Sequence, residues 1–540
     1  METLIILATL GFVLGVAILL AAKRRRSQST RAREARPSTV LEETDSNARE
    51  TSPVIERAMR SQRRPRLQAV DVNIGIDFGT STTKVCMRQN LGLDADALLY
   101  PIELEPGNGL LCPSLIVFDD GHMCFGAEAQ RRSSTKGVNA FPHLKVCLAC
   151  EAEGQVPLSD CAASRGVDGR CRGTFPCAGD VAASELVTCF LAWVIGTAKQ
   201  CIPRELGDTQ RATFTYNIGA PVGQLDEANV LANTYRKVAD AAIRISDQVR
   251  QDVEVRAILA AAREALAVAL LPESESVAQI RPEAEAAMIS HLVSPDTAQG
   301  LYGIVDVGAW TTDVSIFRLT DLSGQQHAGD RTVEYYAACS HRGALNKVDE
   351  EVCGGLLAGG LTASRMSSID DVRRIREHNS SGGGDASSRW PTEVVQLLGS
   401  ARTNLAQEIL GAFRMVLKAA SGKALDQSHW MKMQHPTPGK PHTYSDTAPR
   451  GQLSVVVVGG GAKEPSVWKR LNEVQVAREV KALDVFGLVD GLPGDVGVRY
   501  AVAQGLAFPA ALWPRSFGPS KVPPFARPRR RPFRDLDEIG

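Results

Sequence analysis

The chain has 540 residues, 44% hydrophobic and 23% charged, with Lys+Arg and Asp+Glu equal at 61 each. That length accommodates two or more core-bearing units, and the neutral balance excludes a protein whose overall charge is built for nucleic acid. The charge is uneven, however: residues 23–70 and the C-terminal stretch are rich in arginine, which leaves the middle of the chain more acidic.

Leu4 to Ala22, LIILATLGFVLGVAILLAA, has Thr9 as its single polar side chain. As a helix it is long enough to cross a hydrocarbon core of ~30 Å. Lys23-Arg24-Arg25-Arg26 follows at once and no basic residue precedes it, so the positive-inside tendency predicts a retained signal anchor over 1–22 with the remainder in the cytoplasm. A cleaved signal peptide, the alternative, carries its charge before the apolar run and a small-x-small site after it. Residues 23–70, rich in Arg, Ser, Glu and Pro, read as a disordered tether whose basic start favours an anionic inner leaflet.

From Val72 to about Trp513 strand-like and helix-like segments alternate. VNIGIDF, SLIVFD, FTYNIGAP, LYGIVDVG, TDVSIFRL and LSVVVVGGG are short, β-branched and closed by Gly, Pro or Asp. ANVLANTYRKVADAAIRI, VRAILAAAREALAVALL and PEAEAAMISHLV have helical spacing. The mixture predicts an α/β protein. HNSSGGGDASS and MKMQHPTPGKPHTYSDTAPRG read as surface loops, and the Pro/Arg-rich tail over 514–540 as irregular. Five of the twelve cysteines, Cys147, Cys150, Cys161, Cys171 and Cys177, fall in an apparent insertion at about 147–180. One C-x-x-C with three loosely spaced partners is compatible with zinc; a surface loop of free thiols in a reducing compartment is the alternative.

Three glycine-rich turns carry the chemistry. VNIGIDFGTSTTKVCM (72–87) and GIVDVGAWTTDVSIFRL (303–319) share one grammar: apolar strand, aspartate, glycine, hydroxyls, strand. LSVVVVGGGAKEPSVWKRL (453–471) is a strand delivering three glycines, with a helix expected near Pro465. Phosphate oxygens need N–H and O–H donors at close range, which glycine permits. A strand-end aspartate can hold magnesium through its waters. Two such hairpins facing each other would grip β- and γ-phosphates, while the third turn suits adenosine and the α-phosphate. Each turn alone is equally an ordinary hairpin. No Walker P-loop and no protein-kinase motif set occurs.

The triplet resembles the phosphate-1, phosphate-2 and adenosine motifs of the actin-like ATPase superfamily, and within it the 70-kDa heat-shock protein family most of all. CPSLIVFDDGHMCFGAEAQ (112–130), FPHLKVCL (141–148) and RYAVAQGLAFPAALW (499–513) are similar to further segments of that family. The resemblance covers short islands across 71–513. It implies a ribonuclease H-like, actin-like ATPase fold of two lobes around a nucleotide cleft, preceded by the transmembrane helix. Asp77 and Asp306 would then act on magnesium, with Gly79, Thr80, Ser81 and Thr82 on the phosphates. Gly308 and Thr311 would form the second cradle, Thr311 touching γ-phosphate or water, and Lys145 would stabilise the transferred phosphoryl group. Gly459, Gly460, Gly461 and Lys463 would line the adenosine end. Asp313 would either face the site or merely close its turn.

There are departures from the family pattern. Ala309 and Trp310 stand where the family has small glycines, and Arg281-Pro282 where it has a glutamate before proline. Arg499-Tyr500 replaces an acidic pair. The family's peptide-binding domain is expected to be lacking, since 27 residues follow Trp513. The resemblance therefore implies a membrane-anchored, chaperone-like or regulatory ATP switch acting on a protein partner or client. A non-hydrolysing ATP-binding scaffold and an actin-like filament protein at the membrane are the alternatives.

Overall fold

The computed structural model describes residues 68–90, 99–136, 138, 140–154, 181–206, 210–220, 230–268, 278–292, 297, 300–321, 331–341, 344–358, 372, 376, 392–424, 453–463, 480–482 and 494–517. The expected anchor at 1–22, the expected linker up to Leu67, Cys161, Cys171, Cys177, the expected helix near Pro465 and the tail beyond Phe517 lie outside them. All described residues belong to one compact unit, Leu67–Gly540.

The protein is mixed α/β. In chain order its strands are β1 (Gln68–Phe78), β2 (Thr82–Asn90), β3 (Leu99–Ile102), β4 (Cys112–Pro113), β5 (Ile116–Asp119), β6 (His122–Phe125), β7 (Ala140–Phe141) and β8 (Gln210–Ala220). There follow β9 (Val253–Glu254), β10 (Ala278–Pro282), β11 (Gly300–Val307), β12 (Thr312–Asp321), β13 (Arg331–His341), β14 (Leu453–Val458), β15 (Val480–Ala482) and β16 (Arg515–Phe517). One sheet runs β10-β8-β1-β2-β3, with β4 also on β2; a second runs β15-β14-β11-β12-β13-β16; a third, small one runs β7-β5-β6-β9.

The two large sheets repeat one plan. In the first, β10, β8 and β1 are parallel, then β1, β2 and β3 antiparallel. In the second, β15, β14 and β11 are parallel, then β11, β12 and β13 antiparallel. Order and sense match over five strands, although the sequences share little beyond the turn grammar. Val72, Ile74, Ile76 and Phe78 of β1 are all buried, as are Val455 to Val458 of β14. β14 reads as the near-continuous apolar run of a strand covered on both faces, and β1 as an apolar alternation with Asn73, Gly75 and Asp77 between, which is why both were visible in the sequence. β16 departs from the irregular tail expected after Trp513: its backbone adds in parallel to the edge of β13.

Helices cover the sheets. Ala183–Leu206, Val230–Ile245 and Val255–Ala267 contribute Phe190, Trp193, Tyr235 and Ile258 to the core of the first sheet. Within the first of these, Ala183–Ile202 is apolar and long enough to cross a membrane, but 72% of its most apolar window is buried in the protein, as in a core helix. Thr392–Ala424 lays Leu398, Leu405, Ile409, Phe413 and Val416 on the second sheet. Glu283–Leu292 and Gly494–Leu506 meet where a side chain on Gly505 would come within 1.7 Å of the Ala286 carbonyl, so only glycine permits this crossing. Because Glu283–Leu292 continues directly from β10, that crossing also fixes where its first residue points.

Candidate functional site

The two Asp-x-Gly hairpins are geometrically equivalent. β1 and β2 pair Phe78 with Thr83 and Asp77 with Lys84; β11 and β12 pair Val307 with Thr312 and Asp306 with Asp313. In both turns a Cβ on the glycine would meet the carbonyl of the residue three further on, Thr82 at 2.4 Å from Gly79 and Thr311 at 2.9 Å from Gly308. The first turn is tied down by Ser114, whose hydroxyl donates to the Gly79 carbonyl at 2.7 Å and whose N–H donates to the Ser81 carbonyl at 3.0 Å. The second is held by the helix Leu345–Ala358: the Leu345 and Asn346 N–H groups donate to the Gly308 and Ala309 carbonyls at 3.4 and 2.8 Å.

Around these turns gather two lysines and four carboxyl groups. Lys84 Nζ lies 2.6 Å from Asp77 Oδ2. Lys145, in the second position of the helix Leu144–Gly154, is buried and donates to Glu283 Oε1. Burial works against the Lys145 charge, but the carboxylates of Glu283 and Asp77 outweigh it and hold the ammonium above its ordinary value. Burial pushes Glu283 up, opposed by Lys145 and reinforced by Asp77 and Asp313. Burial, with Glu283, Asp313 and Asp77 nearby, pushes Asp306 up to about 8. Asp313 is likewise raised, chiefly by burial. These mutual influences place Asp77, Asp306, Asp313, Lys145 and Glu283 in one electrostatic cluster.

Gly459 lies against it, since a side chain there would come within 2.2 Å of Asp306 Oδ1. Gly461 packs on Val307, and Gly460–Lys463 forms a short 3-10 turn after β14. The third glycine turn therefore meets the second hairpin at the end of the parallel pair β11 and β14. Thr80 is buried, and Thr82 stands at the start of β2 opposite Pro113. Thr311 Oγ1 lies 3.4 Å from Asp313 Oδ2. The side chain of Lys463 lies outside the described residues. Three buried oxygens on the two hairpins make no hydrogen bond: Ser81 Oγ on the first, and Asp313 Oδ1 and Ser315 Oγ on the second. Unpaired buried oxygens of this kind are costly unless a ligand meets them.

Two departures from the family pattern acquire different meanings here. Arg281 is turned away: its guanidinium lies 5.0 Å above the Trp513 ring and donates to Gln279. The residue that reaches Lys145 is Glu283, immediately after Pro282 instead of before it. Neither Glu283 nor Lys84 is singled out by the sequence motifs; for Lys84 the one available signal is a lysine seven residues after Asp77, across the turn. Trp310 leans out of the second hairpin, packs on the core of the first sheet and donates its indole N–H to His143 Nδ1 at 2.7 Å. Tyr500 is buried and donates to the Leu110 carbonyl at 2.5 Å, a structural bond.

Among the described residues no three His, Cys, Asp or Glu side chains are close enough to ligate a bare metal ion. Cys147 is buried in the core with a free thiol, Cys150 shares its helix, and the remaining three cysteines of the insertion lie outside the described residues. Compared with protein-family models and with curated proteins, the chain matches none.

Proposed function

We propose that this chain binds Mg-ATP between its two hairpins, in an actin-like, two-lobed arrangement of the 70-kDa heat-shock protein kind, and hydrolyses it as a membrane-anchored switch. The observation that carries the reading is the duplicated sheet plan, which ends in two equivalent Asp-x-Gly turns sharing one charge cluster. Magnesium, when bound, would neutralise phosphate charge. Asp77 and Asp306 are the groups to orient its waters. The turn of Gly79, Thr80, Ser81 and Thr82, and the turn of Gly308 and Thr311, would supply donors to the phosphates. Ser81 Oγ would gain the partner it lacks. Lys145, kept charged by Glu283, would face the transferred group, and Glu283 fixes the direction of its ammonium. Gly459 to Gly461 would admit the nucleotide backbone beside Asp306. Leu4–Ala22 is the proposed anchor, and a cytoplasmic protein client or partner would read lobe opening and closing.

A second reading, an ATP-binding scaffold without turnover, draws on Ala309 and Trp310 replacing small glycines in the second turn. Both are tested on the full chain in detergent, with Asp77→Asn as control, by equilibrium binding of radiolabelled ATP with magnesium and by single-turnover phosphate release. Binding and release, both weakened in the control, support the switch. Binding without release supports the scaffold, and no binding at all removes the nucleotide reading.

A further inference from the structure

The contact between Trp310 and His143 joins two elements that carry the proposed chemistry. Trp310 belongs to the turn between β11 and β12, whose neighbour Thr311 is the proposed phosphate contact. His143 stands two residues before Lys145. Its backbone has φ +65°, the left-handed region, and its carbonyl accepts the N–H groups of Val146 and Cys147 at 2.9 and 3.0 Å. His143 therefore caps the helix on which Lys145 rides. The rings of Trp310 and His143 meet edge to face with centroids 4.9 Å apart. With its N–H committed to His143 and its ring against the core of the first sheet, the indole is engaged within the protein.

We infer that Trp310 and His143 are positioning residues for Lys145: the indole N–H fixes the His143 ring, and through the cap it sets the distance between Lys145 and the second phosphate turn. This rests on the nucleotide reading above. Removal of the bond leaves Lys145 on Glu283 but frees the first turn of its helix to shift. Such a shift leaves ground-state binding nearly intact and slows the step in which charge develops, since misplacement by about 1 Å can cost on the order of 100-fold. Asparagine at 143 preserves both requirements, because its side-chain oxygen is an acceptor and it tolerates positive φ better than most residues.

The test compares wild type, Trp310→Phe, His143→Ala, His143→Asn and the Trp310→Phe/His143→Ala double variant, as full chains in detergent with unchanged circular dichroism. Equilibrium ATP binding and single-turnover phosphate release are read for each. Expected are ATP affinities within about twofold of wild type. Release should slow roughly 10- to 100-fold in the first two variants, be largely retained in His143→Asn, and fall no further in the double variant. Trp310→Phe releasing phosphate at the wild-type rate, or His143→Asn failing as badly as His143→Ala, overturns the inference. So does a loss confined to affinity. Wild type that binds ATP but releases no phosphate overturns it while leaving nucleotide binding in place; wild type that binds no ATP removes both.

Discussion

Replacing Lys145 by methionine removes the buried cation from beside Glu283 and leaves an acid among Asp77, Asp306 and Asp313 with no positive group bonded to it. Breaking a buried ion pair from one side costs about 3–5 kcal/mol. Here the lower end is expected, because Glu283, already raised by burial, can take up a proton once the lysine is gone. Glu283→Gln is milder, about 1–3 kcal/mol, since Lys145 keeps the field of Asp77 and the amide oxygen still accepts its hydrogen bond. In Lys145→Met/Glu283→Gln no charge is stranded, so the double variant should be more stable than the sum of the singles by roughly 2 kcal/mol. Denaturant unfolding at pH 7 without magnesium or nucleotide, followed by tryptophan fluorescence, measures the cycle. Single effects that add to within about 0.5 kcal/mol refute the reasoning, because independent sites add to that precision.

Asp306→Asn should flatten part of the pH dependence of stability. A carboxyl raised to about 8 in the folded chain holds its proton where the unfolded chain has lost it, so its contribution is full below the unfolded value and disappears as pH rises through the folded one. Between pH 5 and 7 metal-free wild type should lose up to about 1.4 kcal/mol per pH unit more than the variant; parallel curves would contradict the assignment. Gly505→Ala must push the Ala286 carbonyl back from 1.7 Å, and a loss of at least about 3 kcal/mol in thermal or chemical unfolding is expected. Ser114→Ala removes the 2.7 Å bond to the Gly79 carbonyl and should cost about 1 kcal/mol of stability. ATP affinity, read by equilibrium binding, should weaken with it; an unchanged affinity would show that the first turn holds its shape without that hydroxyl.

Much of this was legible in the sequence where one residue type answers one local demand. β1, β11, β12 and β14 showed as β-branched runs, and Asp77, Gly79, Asp306 and Gly308 as strand ends and turns. The helices expected over 228–245, 255–271 and 282–293 are present as Val230–Ile245, Val255–Ala267 and Glu283–Leu292. The core helix Ala183–Leu206 went unread because it is apolar all round and so weakly periodic. Thr392–Ala424 does carry a period, in Leu398, Ala401, Leu405, Ile409 and Phe413, and could have been found from it. β13 was missed because it mixes tyrosines and alanines without clear alternation. At the site, the partner of Lys145 comes from 138 residues away, and Trp310 meets His143 across 167. Such pairings are fixed by how sheets and helices stack, and no window of local sequence contains them.

The two hairpins share a register but differ at one matched position, where the first places Lys84 opposite its aspartate and the second places Asp313. A duplicated frame would otherwise look the same from either side. With Lys84 the first turn cancels its own charge; with Asp313 the second can carry two negative charges or store protons in their place. The two turns therefore differ in charge: the first sets a base opposite its acid, and the second sets two buried acids opposite each other. On the proposed nucleotide reading, that single exchange of lysine for aspartate gives the bound ligand one orientation, with its cation toward β11 and β12.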